Sequence, residues 1–92
     1  MLNIEITTGI VDSPDFGGIL EKVSKVVVFP HPLPGPEVHV MIAISGIEGA
    51  ADCNPSVSVR AEKITQIGFT AVFEVKGLGY NRLTAQFIAY NG

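Results

Sequence analysis

Phe69-Thr70-Ala71-Val72-Phe73-Glu74-Val75-Lys76 is the stretch that decides the fold. Phe69, Ala71, Phe73 and Val75 alternate with Thr70, Val72, Glu74 and Lys76. This is the period-two pattern of a strand, in which successive side chains point to opposite faces. After Gly77-Leu78-Gly79, which predicts a hairpin, Leu83, Ala85, Phe87 and Ala89 alternate with Thr84, Gln86, Ile88 and Tyr90. Working outward toward the N terminus, Val57, Val59 and Ala61 alternate with Ser58, Arg60 and Glu62. Val38, Val40, Ile42 and Ile44 alternate with His39, Met41, Ala43 and Ser45. Val23 to Phe29 ends in an unbroken apolar run, predicting a strand covered on both faces. Leu2, Ile4 and Ile6, set against Asn3, Glu5 and Thr7, predict an opening strand.

Turn formers separate these runs. Asp12 to Gly18 contains Ser-Pro-Asp and Gly-Gly, and Pro30 to Pro36 holds four of the six prolines. Proline lacks a ladder donor and favours extended, non-sheet backbone. Ser45 to Pro55 reads as a loop, and only Ile19 to Lys25 offers so much as a helical turn. No repeat, linker or low-complexity tract interrupts residues 1–92. Six short strands punctuated in this way predict one all-β domain, a six-stranded antiparallel β-sandwich.

Composition bears on assembly. Of the 92 residues, 47% are hydrophobic and only 16% charged, with a mean hydropathy of +0.39. A soluble domain usually carries about a quarter charged residues, and monomers rarely expose large apolar patches. Met41 and Ala43 share one strand face, and Val72 and Ile88 occupy positions where a solvated sheet would be polar. Either irregular twist makes these residues peripheral core, or the face packs against other copies of the chain, the reading the composition favours. The single cysteine, Cys53, cannot form an intrachain disulfide, so so small a domain must rely on packing or oligomerisation. The net charge of −3 and six scattered Lys and Arg offer no stripe for a phosphate backbone, so nucleic acid is not an expected partner. No apolar run approaches the roughly 20 residues of a membrane span, so no membrane insertion is expected. No signal peptide is visible, which fits a cytoplasmic or non-classically exported protein, but a mature secreted form would look the same, so the compartment stays open.

From Val26 onward the motifs fall in a recognisable order. Val26-Val27-Val28-Phe29 is followed by the proline-rich turn and by Pro36-Glu37-Val38-His39-Val40. Then come Asn54, the run Val57 to Arg60, and Ile64-Thr65-Gln66-Ile67-Gly68-Phe69-Thr70. The chain closes on Ala85-Gln86-Phe87-Ile88-Ala89-Tyr90-Asn91-Gly92. In this order and spacing the last two thirds of the chain resemble the H-type lectins, the family of the snail agglutinins and the discoidin C-terminal domains. Gly68, in the family's "V-T-x-T-G-F" segment, is expected to supply an unusual backbone angle, and Phe87 stands where the family has Trp. The resemblance implies a parallel homotrimer, with higher-order assembly left open, and sugar sites between protomers. Galactose or N-acetylgalactosamine glycans are the implied ligands, and no catalysis or cofactor is implied. The family's binding Arg falls at Ser56, its Trp-His pair at Lys76 and Gly77, and its N-terminal-loop Asp near Gly18, with Asp15 close by.

Sugar recognition needs an aromatic face for the C–H side of the ring and convergent polar groups for its hydroxyls. Tyr80-Asn81-Arg82 offers both in adjacent positions, with Lys76 ending the preceding strand and Asn54 and Ser56 in another loop. The plainer reading makes Tyr80 a hairpin cap and Asn81 and Arg82 solvated turn residues. The carbohydrate-binding candidates are therefore Tyr80, Asn81, Arg82, Asn54, Ser56, Lys76 and Asp15. His31, His39 and Cys53 lack the close-paired spacing of a metal site, and His39 is expected in an interface or the core. No nucleophile–base pair or phosphate-cradling loop is evident, so no enzyme is expected. Two functions remain: a trimeric lectin, or a structural trimerisation domain on the same fold without sugar binding.

Overall fold

The computed structural model describes residues 4–17, 22–35, 37–49, 56–76 and 80–91. They form six strands: β1 (Ile6–Asp12), β2 (Lys22–Val28), β3 (Val38–Gly49), β4 (Ser56–Glu62), β5 (Gly68–Lys76) and β6 (Tyr80–Asn91). No helix occurs among the described residues. The strands make two three-stranded antiparallel sheets, ordered β1-β6-β3 and β2-β5-β4. Both sheets contribute to one core, a sandwich-like all-β arrangement.

Alternation fixes which side chains enter that core. Phe69, Ala71, Phe73 and Val75 of β5 and Leu83, Ala85, Phe87 and Ala89 of β6 are all buried. Val38, Val40, Ile42 and Ile44 of β3 and Val57, Val59 and Ala61 of β4 pack partly buried against them. Phe29, Phe69 and Phe87 form an aromatic cluster that ties one sheet to the other, with ring centroids 5.1 to 6.3 Å apart. Each such phenyl contributes about 1.5–3 kcal/mol by burial.

Several readings need correction. The opening strand is β1, and its core-facing residues are Thr7, Gly9 and Val11, not Leu2, Ile4 and Ile6. Ile4 and Ile6 are exposed, and Leu2 lies outside the described residues. The pairing of Gly9 with Phe87 sets this phase: the Phe87 ring occupies the space a Gly9 Cβ would need. β5 and β6 do not pair as a hairpin but belong to different sheets, and Gly77–Gly79, read as the hairpin turn, lies outside the described residues. Val26 and Val28 are 71% and 70% exposed, so β2 is covered on one face only. Val72 is buried but belongs to the β2-β5-β4 sheet, so it shares no face with Met41 and Ile88. Gly68 has no unusual backbone angle. Its missing side chain lets the backbone of Val27 lie against it, where a Cβ would overlap the Val27 carbonyl oxygen.

Two core residues sit in segments read as turns. Phe16 is fully buried, its N–H donating to the Asn81 carbonyl at 2.8 Å. Leu33 is buried within the proline-rich segment, its N–H donating to the Gln66 carbonyl at 2.8 Å. These backbone bonds seat each loop as an extra edge on the core, so an apolar plug can enter without orphaning its amide.

Candidate functional site

The topology gathers the ends of several strands at one pole. β6 starts three residues after β5 stops, Gly49 of β3 pairs with Tyr80, Asp12 of β1 with Thr84, and Ser56 of β4 with Lys76. The ends of β1, β3 and β5 and the starts of β2, β4 and β6 therefore lie together. All of the predicted sugar-binding positions lie on or beside these strand ends. Asn54 falls outside the described residues.

Around the start of β6 the order is tight. Asp15 accepts the Gly17 N–H through Oδ1 at 2.7 Å, and Gly17 has the positive φ of 64° that closes this small turn. The next residue, Phe16, anchors the turn by its bond to Asn81. Ser13 completes the clamp: its N–H donates to the Leu83 carbonyl, and its hydroxyl accepts the Leu83 N–H, both at 2.8 Å. Ser13 is itself buried. The turn is thereby docked at Asn81; Asp15, Asn81 and Arg82 are exposed, Asn81 and Arg82 in opposite phases of β6, and Tyr80 opens the strand across from Gly49. One step inward, the Thr84 hydroxyl donates to Asp12 Oδ1 at 3.0 Å. No feature of the sequence marked Ser13 or Phe16 as the device that positions Asp15, beyond an aromatic residue in an otherwise polar turn.

Ser56 and Lys76 form a second group. They are directly paired across β4 and β5, both exposed, on the outward face of the other sheet. Arg82 takes the outward phase of the β1-β6-β3 sheet, so the two groups are separated by the thickness of the molecule, about 10 Å between packed sheets. The six described positions thus divide between two rims of one pole.

Farther along the β2-β5-β4 face, Arg60 ion-pairs with Glu62 and Glu74. The hydrogen bond from Arg60 holds the Glu74 carboxyl below its ordinary range, and the same two carboxylates raise Arg60. His39 lies on the opposite outward face, half-exposed, its ring 5.2 Å from that of Tyr90 and its Nε2 3.9 Å from Glu37. The core reading for His39 therefore falls. Among the described residues, no group of three or more His, Cys, Asp or Glu converges as a metal site, and Cys53 is not among those residues. Among the described residues, no helix is long and apolar enough to cross a membrane.

Two depressions mark the sheet faces. One of about 730 Å³ lies on the β1-β6-β3 face, lined by Thr8, Ile10, Met41, Ala43, Gln86 and Ile88 among others. One of about 380 Å³ lies on the other face beside Lys22, Glu62, Lys63 and Thr70. None of the predicted sugar-binding residues lines either. A search of protein-family models finds no match to this chain, and no curated protein matches its sequence.

Proposed function

We propose that the chain is a carbohydrate-binding module of the H-type lectin kind, acting as a homotrimer on galactose- or N-acetylgalactosamine-containing glycans. The observation that carries this reading is the clamp of the Asp15 turn against β6. It docks the turn carrying the exposed Asp15 against the start of β6, where Tyr80, Asn81 and Arg82 follow one another. Asp15 would accept from sugar hydroxyls, Asn81 and Arg82 would donate, and Tyr80 would serve as the ring platform. Such a patch is open on one side, which suits a site completed by a second protomer. Individually weak sites gain from threefold presentation, because the second and third contacts become intramolecular. Lys76 and Ser56, on the far rim, would meet only a glycan longer than one ring. The module needs no catalytic group and no cofactor for this role.

Glycan-array screening of the purified protein tests the reading. Retention of galactosides, lost in Tyr80→Ala and Arg82→Ala with fold and mass unchanged, supports it. Silence across the array would instead favour a structural trimerisation domain.

A further inference from the structure

The basic residues are scattered along the sequence, but the fold gathers them. β2, β4 and β5 carry four of the six Lys and Arg, namely Lys22, Lys25, Arg60 and Lys76, against two carboxylates, Glu62 and Glu74. The other three strands carry Arg82 alone, against Asp12 and Glu48. Lys63, directly after β4, adds a fifth cation to the first group. A chain of net charge −3 thus has one sheet in which cations outnumber carboxylates.

Two of these cations line the depression of about 380 Å³ on this sheet: Lys22 and Lys63, together with Ser24, Glu62, Thr70 and Val72. Register sets Lys22 opposite Glu74, but Glu74 is taken by Arg60, which also takes Glu62. Neither lysine makes an ion pair or hydrogen bond with a described residue. Lys63 reaches the depression by breaking alternation. Strict period two would send it to the face opposite Glu62. Its φ of 52°, a left-handed value uncommon for a residue with a side chain, turns the chain so that both residues line the same hollow. Val72 forms the floor. It takes the outward phase, opposite Ser24 and Arg60, yet is only 5% exposed, so the longer side chains around it stand as walls.

We infer that this depression is a second binding site, for an acidic sugar residue: a single ring bearing a carboxylate or a sulfate. Lys22 and Lys63 supply the charge that selects an oxyanion. The hydroxyls of Ser24 and Thr70 and the carboxylate of Glu62 supply donors and acceptors for ring hydroxyls, and Val72 meets the C–H side. The volume lies at the small end of ligand pockets, which run from about 300 to 1,000 Å³, and so suits one ring. A polynucleotide fits less well, because it needs aromatic platforms along a continuous basic groove. All five Phe are buried, both Tyr belong to β6, and Glu62 interrupts the basic surface. The site shares no residue with the positions proposed around Tyr80, so the two stand or fall separately.

Amide-resolved NMR titration at low salt tests the site with galacturonate, galactose 6-sulfate, inorganic sulfate and neutral galactose. The two acidic sugars are the test ligands, and at least one should shift the amides of Ser24, Lys63 and Thr70. Inorganic sulfate should bind there more weakly than that sugar, and galactose should leave those amides unmoved, whatever it does at Asn81 and Arg82. Lys22→Gln and Lys63→Gln should each weaken acidic-sugar binding about two- to fivefold, the scale of one exposed charge pair. Lys25→Gln removes the same charge from the other phase of β2, outside the depression, and should leave affinity unchanged. Circular dichroism establishes that each variant is folded. Silence from both acidic sugars overturns the site, as does equal weakening by Lys25→Gln, which would mean that only net charge matters. Inorganic sulfate binding as tightly as the sugars, or galactose shifting the same amides as strongly, overturns the acidic ring as ligand. Tighter binding at these amides by a DNA oligonucleotide or by phosphatidylserine vesicles does the same.

Discussion

The two outward faces of this molecule have the same architecture and opposite chemistry. Each consists of three antiparallel strands lying over a shared core. On the β2-β5-β4 face, register sets Lys22 beside Glu74 and Ser58, and Arg60 beside Val72 and Ser24, with Arg60 paired to both Glu62 and Glu74. On the β1-β6-β3 face, the corresponding central rows hold isoleucine, methionine, threonine, glutamine and alanine. Backbone pairing alone would make the faces equivalent. Side-chain chemistry alone separates them, one charged and the other largely apolar, and it does so without altering the strands.

Removing the support common to both faces should have the largest effect. Phe87 contacts Phe29 and Phe69 and fills the space over Gly9, so Phe87→Ala should cost about 3–5 kcal/mol. Denaturant unfolding should show a much lower midpoint or no cooperative transition. Gly68→Ala attacks one sheet alone. Its Cβ would force β5 away from β2 at Val27, and hydrogen exchange should then show lost protection in β2 while β1 and β6 keep theirs. Equal loss in both sheets would mean that the two do not respond separately.

Next in size is the asymmetry between the faces. If copies join through the apolar face, the wild-type Tm should rise by several degrees with each roughly tenfold increase in protein concentration. Val26→Lys should keep that dependence and Ile88→Lys should abolish it, as differential scanning fluorimetry over a dilution series would show. The smallest effect belongs to the charged face. The Glu74 carboxyl is held below its ordinary value of 4.5 by Arg60. Any stability it contributes is present above about that pH and is lost as the pH falls through the lower folded-state value. Because both groups are exposed, Glu74→Gln should shift Tm only slightly at pH 7 and low salt, and not at all in high salt, where such pairs are screened. A large shift would mean that the ion pair is structural.

Much of this contrast was legible in the sequence. The inward set of β3, β4, β5 and β6 follows directly from alternation, since period two leaves only one residue in two for the core. Met41 and Ile88 stand out as apolar residues in the polar phase. Three features did not yield to periodicity, each for a physical reason. The phase of β1 depends on a cross-strand fit, Gly9 against the Phe87 ring, that the local pattern of isoleucines contradicts. Phe16 and Leu33 enter the core from turns because a single backbone bond can seat a loop, and no alternation signals it. The assignment of β5 and β6 to different sheets is decided by long-range pairing, which a short glycine-rich connection does not reveal. The same limit governs the candidate site. The sequence offered Tyr80, Asn81, Arg82 and Asp15 as candidates, but did not show that Ser13 and Phe16 dock the Asp15 turn against β6. It also did not show that Lys76 and Ser56 face the opposite rim.

That division of the pole makes a graded claim about ligand length. Lys76→Ala should leave monosaccharide affinity unchanged and weaken only longer glycans, whereas Arg82→Ala should weaken both. The most direct test of the whole account is therefore a calorimetric titration of wild type and Arg82→Ala with a galactoside, each checked for unchanged mass in solution. The account predicts measurable binding by the wild type, and about a tenfold or greater loss in the variant, the cost of one charged hydrogen bond of about 1.5–3 kcal/mol. Equal affinity in the two proteins would contradict it.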